Sequence, residues 1–378
     1  MDLATILEYV RAQGASDLHL VPGFAPMMRI DGQMTRTDGI FEASDYIDIL
    51  RNLMSDRQND VFDSGKDVDF SHEDKYGNRY RVNIFRREGK MACVMRALNE
   101  TIPTMEKLGL PEVFKDFAML PRGLVLVTGP TGSGKSTSLA SMIDYANQRR
   151  KCHILTAEDP IEYRYQSKQA LINQREIGQD IDSFAGALRS ALREDPDVIL
   201  VGEMRDFETI SAAVTAAETG HLVFSTLHTT GAAKTVDRII DVFPSSQQQQ
   251  IKAQLGAVMK AVITQTLVPR IGGGRVAAFE VLVCNDAVLN MIREGKTFQL
   301  DSAIQTGAKE GMILLDRSLA NLVVEGKITM ESAMEKCVRE DELKRFVQGM
   351  GRGDLVSAYE DQVKLNSFNS IGYDNNPY

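Results

Sequence analysis

Gly129-Pro130-Thr131-Gly132-Ser133-Gly134-Lys135-Ser136 fits the pattern G-x-x-x-x-G-K-[ST], follows the apolar run Leu124 to Thr128, and opens a segment in which Leu139, Met142, Ile143 and Ala146 keep helical spacing. A strand, a glycine loop and a helix in that order form a phosphate cradle. Glycines let backbone N–H groups converge on phosphate oxygens, and the helix N-terminus adds positive potential. Lys135 has the length to reach β and γ phosphates, and the Ser136 hydroxyl is the type of group that coordinates Mg²⁺. Gly129, Thr131, Gly132, Ser133, Gly134, Lys135, Ser136 and Thr137 are therefore the candidate ATP-binding residues, with Lys135 also a candidate in catalysis and Ser136 a candidate metal ligand.

Outward from the loop, strands and helices alternate. Leu124 to Thr128, Ile154 to Ala157, Val198 to Val201 and Leu222 to Leu227 are short continuous apolar runs, as expected of strands covered on both faces. Phe184, Ala187, Leu188, Ala191 and Leu192 keep helical spacing between them. The fold class is α/β, with a parallel sheet in the middle of the chain. After Phe243 the pattern reads as helical, the run Gln247 to Gln250 as a solvated helix face, and Gly272 to Gly274 as a loop. Residues 1–98 mix strand signals at Asp17 to Val21, Met27 to Ile30, Arg79 to Phe85 and Met91 to Arg96 with a helix near Ala43 to Met54, which predicts a small α+β domain. Pro103, Gly109 and Pro111 mark a linker over 99–111. The second domain then covers 112–365, and the Asn- and Ser-rich end, 366–378, is expected to be disordered.

The chain has 378 residues, 43% hydrophobic and 25% charged, enough for two or three globular domains. A net charge of -9 argues against a nucleic-acid partner, which calls for a basic surface. Cys93, Cys152, Cys284 and Cys337 form no C-x-x-C pair, so isolated thiols are expected rather than a zinc site. No run approaches the roughly 20 apolar residues of a membrane span, and Met1 to Val10 does not read as a secretory signal. The expected location is cytoplasmic.

Ligands of parallel sheets sit beyond the carboxyl ends of strands, so polar residues ending each run are the candidates for chemistry. Glu158, Asp159 and Glu162 follow the second run, and Glu203 follows the third. Glu203 is the candidate to position and deprotonate water, its alternative being a carboxylate at the start of a helix over Met204 to Glu218. Many ATPases of this type hold Mg²⁺ with an Asp ending that strand, where this chain has Gly202. Glu162 then becomes the candidate carboxylate for the metal, alongside Ser136 and water. His221 and His228 bracket the fourth run and are candidates to sense the γ-phosphate, against the alternative of structural histidines.

The loop, Thr156-Ala157-Glu158-Asp159-Pro160-Ile161-Glu162, the segment Asp195 to Asp206 and the segment Thr219 to His228 occur in the order seen in secretion ATPases of the type II and type IV pilus class. From Ala15-Ser16-Asp17-Leu18-His19 to about residue 345 the chain resembles the retraction ATPases of twitching motility. Assembly and type II secretion ATPases, the alternative, usually add an N-terminal extension and a four-cysteine zinc insert. Ala287 to Glu294 resembles the retraction signature A-I-R-N-L-I-R-E and departs from it at Val288, Leu289 and Met291; packing of a helix face on the core is the other reading of that stretch.

The resemblance implies an N-terminal PAS-like domain followed by a RecA-like domain with a helical C-terminal region. It also implies a homo-hexamer that spends ATP hydrolysis, with Mg²⁺, on pilus retraction through rotation of one domain against the other. Glu203, Glu162 and Lys135 are the catalytic residues it points to, and by motif position Arg81 and Arg96 bring positive charge to the phosphates, unless they are an ordinary solvated strand face. Its partners would be an inner-membrane pilus platform protein and an accessory retraction ATPase, placing the chain peripherally on the inner face of the cytoplasmic membrane at the pilus base. A DNA translocase could use the same core and is the reading from a different class.

Overall fold

The structure, a computed structural model, describes residues 2–30, 32–37, 40–98 and 101–371, with side chains to 364. It divides into two compact units. One comprises Met1–Ile102 with Ala157–Gln166 and Gln174–Ser183; the other comprises Pro103–Thr156, Ser167–Asn173 and Phe184–Tyr378. The acidic segment Glu158 to Glu162, which the linear pattern assigns to the second domain, thus clusters with the first unit. The expected linker begins at residues 99 and 100, outside the described residues, and includes a helical turn over Met105–Leu108 that Gly109 ends at φ 66°.

The first unit is built on an antiparallel sheet of β1 (Asp17–Leu20), β2 (Met27–Ile30), β3 (Gln33–Arg36), β4 (Val68–Glu73), β5 (Arg79–Arg87) and β6 (Lys90–Ala97), in the order β3-β2-β1-β6-β5-β4. Alternation in β5 sends Tyr80, Val82 and Ile84 into the core with Ile6, Leu50 and Phe62 from the helices Leu3–Ala12, Ile47–Leu53 and Asp56–Asp63. The opposite parity puts Arg79, Arg81 and Asn83 on the other face. The helix expected near Ala43 starts only at Ile47, because Ser44 is bridged to Phe24.

The second unit carries most of a seven-stranded sheet: β7 (Gly123–Thr128), β8 (His153–Glu158), β9 (Leu171–Glu176), β10 (Val198–Val201), β11 (Leu222–Leu227), β12 (Met259–Pro269) and β13 (Arg275–Val283), in the order β13-β12-β7-β11-β10-β8-β9. β7, β10, β11 and β12 run parallel. The core holds Leu124, Leu126, Ile199, Val201 and Val223 on the sheet, with Ile210, Val214, Val236 and Ile239 from helices.

Two expectations need correction. The stretch after Phe243 is not all helical: β12 and β13 form a long antiparallel hairpin closed by the Gly272–Gly274 loop. A continuous apolar run such as Ala261-Val262-Ile263 suits a buried strand and a buried helix equally, and here the neighbour β7 decides. Residues 366–371 are not disordered, since the helix Gly353–Ile371 runs through them, continuing a segment fastened by Val356 in the C-terminal core. The rest of that expectation, 372–378, lies outside the described residues. The Gln run is on the exposed start of the helix Gln248–Val258, as expected.

Candidate active site

β7 delivers the chain to Gly129 at the carboxyl edge of the sheet, and the helix Lys135–Asn147 leaves from it. That helix starts at Gly134, φ 88°, with no side-chain cap and no acidic residue in its first turn. With no acidic side chain there, the positive end of its dipole favours an anion. Gly129, φ 139°, has a conformation open in practice only to glycine. Thr131, Gly132 and Ser136 face solvent, Thr137 is half-buried, and Ser133 and Lys135 are buried. The Lys135 ammonium donates to the Gly129 and Pro130 carbonyls at 2.8 and 3.0 Å, folding back over its own loop.

Glu203 lies at the same edge, beyond β10. The helix behind it begins only at Phe207 and is capped by Asp206, which accepts from the Thr209 N–H at 2.9 Å. Glu203 is therefore not the helix-start carboxylate that its position in sequence allows. It sits in the loop, 22% exposed, with Arg205 Nη2 at 2.8 Å and His228 Nε2 at 3.5 Å from its Oε2. His228 follows β11, whose Leu227 is paired with Thr128, so Glu203, His228 and the glycine loop share one edge of three parallel strands. His221 does not join them. It precedes β11 and its carbonyl accepts from the Gly123 N–H, at the start of β7. Strand rise places that end roughly 20 Å from the loop, and the ring is held there by the Ala216 carbonyl and Thr219. Two histidines bracketing a strand mark its two ends, and only the second is at the carboxyl edge. Asp197 is likewise at the far end, accepting from the His153 N–H at 2.9 Å.

The first unit assembles a second set. Arg81 and Arg96 are direct cross-strand partners on one sheet face. Asp69 grips Arg81 in a fork, Nη2 to Oδ2 at 2.6 Å, and Asp17 accepts from Arg96 Nε at 2.8 Å. The Asp69 hydrogen bonds, with the fields of Asp69, Asp159 and Glu162, hold Arg81 charged more firmly than usual against partial burial. Glu162 is thereby brought to Arg81 within this unit. Burial pushes the Asp17 carboxyl up, but the Ser16 hydroxyl and Arg96 outweigh it and keep the group below the usual carboxylate range. His19 is a half-buried neighbour whose burial lowers its pKa, in keeping with a structural role.

Several residues here carry no motif. Glu176, 3% exposed, accepts from the Ser71 N–H at 3.1 Å, the Ser71 hydroxyl at 2.9 Å and the Ile161 N–H at 3.1 Å, with Arg79 Nη2 at 3.9 Å. It fastens the acidic segment to β4. Thr264, Gln265 and Glu280 form a buried polar group on β12 and β13, and Thr264 meets the Thr128 hydroxyl at 2.8 Å. The signal for Thr264 and Gln265 was three adjacent polar residues, Thr264-Gln265-Thr266, inside the apolar stretch Val262 to Val268.

Residues 2–273 match the family described as type II/IV secretion system protein. The chain belongs to that family. It is 51% identical to the type IV pilus retraction ATPase PilT of Pseudomonas aeruginosa over 337 residues, 89% of this chain and 98% of the relative. It is 50% identical to a twitching motility protein of Neisseria gonorrhoeae over 320 residues, 84% of this chain and 86% of the relative. A crystal structure of the pilus retraction motor PilT with bound ADP superposes with a TM-score of 0.85 at 45% identity, covering 91% of this chain and 99% of that one. The expected kinship with PilT-type ATPases and the plan of an N-terminal domain followed by a RecA-like ATPase domain both hold. The helix Asp286–Glu294, where the signature departs, buries Val288, Leu289 and Ile292 in the core, so Leu289 occupies an apolar position.

Proposed function

We propose that this chain is an ATPase that powers retraction of a type IV pilus. The observation that carries it is the complete phosphate loop, with an uncapped helix N-terminus and Lys135, on one strand edge with Glu203 and His228. Likeness over most of the chain to relatives named for pilus retraction and twitching supports the mechanical half of the reading.

In this reading the loop amides from Gly129 to Thr137 and Lys135 bind the phosphates of ATP, the ligand class that the bound ADP of the solved relative represents. Glu203 orients the attacking water and takes its proton, while Arg205 and His228 hold the carboxylate in place. His228 is the histidine placed to report on the γ-phosphate. Arg81 and Arg96 supply fixed positive charge to the transition state in the assembled ring.

Mg²⁺ fits the donor set: Ser136 offers an exposed hydroxyl beside the loop, and the described residues hold no cluster of three or more acidic, His or Cys groups that would make a dedicated protein cage. Such a site suits an ion that keeps waters and shares substrate oxygens. Ser136 would hold it, with Glu162 as the assigned carboxylate, and when bound it neutralises charge on the phosphates.

The working form would be a homo-hexamer acting on a membrane platform protein at the inner face of the membrane, with an accessory retraction ATPase as a second partner. No helix among the described residues is long and apolar enough to cross a membrane. The test is genetic. Cells lacking the chain should carry pili that they cannot withdraw, restored by the wild-type chain and not by Glu203→Gln; bald cells would assign it to assembly instead.

A further inference from the structure

Gln265 is 2% exposed, on β12, beside the phosphate loop. Its Nε2 donates to the Ser133 carbonyl at 2.8 Å, and its Oε1 accepts from the Ser138 hydroxyl at 2.8 Å. A donor demand at one end and an acceptor demand at the other fix which way the amide faces. The contact therefore ties the loop, at Ser133, to the first turns of the helix Lys135–Asn147, at Ser138.

The Ser133 carbonyl and the Gly134 N–H belong to one planar peptide and point in opposite directions. Drawing the carbonyl toward Gln265 turns the Gly134 N–H to the other side, away from Gln265. The two outer glycines of the motif answer to the same residue. A Cβ on Gly134 would lie 2.8 Å from Gln265 Nε2, and one on Gly129 would lie 2.2 Å from the Gln265 main-chain oxygen. The glycines leave room for β12 as well as for phosphate.

We propose that Gln265 is a positioning residue for the nucleotide, holding the Ser133–Gly134 peptide so that the Gly134 N–H faces the phosphates. This rests on the loop being the ATP site. A hydrogen bond made to phosphate alike in the ground and transition states contributes to binding and not to turnover. Loss of its orientation then raises KM and leaves kcat.

The test uses the full chain with Gln265→Met, which keeps the volume and removes both hydrogen bonds. Expected are rises of about tenfold in KM for ATP and in Kd for ADP, the worth of one hydrogen bond, with kcat within about twofold. Gln265→Glu, which retains the acceptor, loses the donor and adds negative charge beside the anion, should raise both further. Ser138→Ala should give a smaller rise in the same direction, and it decides the matter if Gln265→Met does not fold. Unchanged KM and Kd in folded variants, or a fall in kcat at constant KM, overturn the proposal. Lys135→Ala separates the two failures. If it too binds ADP normally, the loop reading is wrong; if it loses ADP while Gln265→Met keeps it, only the role of Gln265 is wrong.

Discussion

Replacing Glu176 by Ala should loosen the first unit by about 3–5 kcal/mol, the cost of removing one partner from a buried charged group. Four donors would lose their acceptor: the Ser71 N–H, the Ser71 hydroxyl and the Ile161 N–H, at 3.1, 2.9 and 3.1 Å, and the Gln179 side-chain amide. Arg79, its side chain 9% exposed, would lose the carboxylate 3.9 Å away. Hydrogen bonds to charged groups contribute about 1.5–3 kcal/mol each, but these share one carboxylate and do not add in full. Glu176→Gln keeps an acceptor and loses the charge, so a smaller cost of about 1–3 kcal/mol is expected. Two units make a single global unfolding energy ill defined, and the chain has no Trp to report on one of them. Amide hydrogen exchange read at Ser71 and Ile161 is the suitable assay. Protection there should fall by two orders of magnitude or more in Glu176→Ala, while the β7 amides keep theirs. A change of less than about fivefold, some 1 kcal/mol, would refute the idea that Glu176 fastens the acidic segment.

Glu203→Gln should lower kcat for ATP by roughly 10²- to 10⁴-fold with little change in nucleotide affinity, measured by steady-state phosphate release and ADP titration; retention of kcat within about threefold removes this carboxylate from the chemistry. Tyr46 is buried, donates to the Phe24 carbonyl at 2.6 Å, and burial raises its phenol to about 12 from 10.0. The folded state favours the neutral phenol, so its contribution is complete below pH 10 and lost as pH rises toward 12. Alkaline unfolding of the first unit should therefore shift to higher pH in Tyr46→Phe, which has no proton to lose, in circular dichroism titrations. Cys93 and Cys284 are buried and burial raises both thiols, so a thiol reagent at pH 8 should label the half-buried Cys152 and Cys337 first, as peptide mass mapping would show.

The loop, the alternation of the parallel strands and Glu203 were legible in sequence because each depends on local pattern: a glycine motif, a continuous apolar run, a carboxylate after a strand. Arg81 and Arg96 were assigned by motif position, and the register explains their neighbourhood, since two strands joined by a tight turn must pair residues equidistant from it. What escaped was set by distant partners. Gln265 and Thr264 lie more than 130 residues from the loop elements they touch. β12 and β13 became strands because β7 offered an edge, which no local apolar run announces. Glu176 acts because two stretches, 157–166 and 174–183, cluster with the first unit, which the linear order conceals. His221 was misplaced for a simpler reason: residues before and after a parallel strand lie at opposite ends of the sheet, and only the latter reach the ligand edge.

Hydrolysis of ATP at the Gly129 to Ser136 loop depends on Lys135. Phosphate release by the purified full chain, wild type against Lys135→Ala, tests it most directly. Steady release by the wild type that falls at least about 100-fold in a folded Lys135→Ala variant is the predicted result. Equal rates in the two proteins, or none in the wild type under saturating ATP and Mg²⁺, would contradict it.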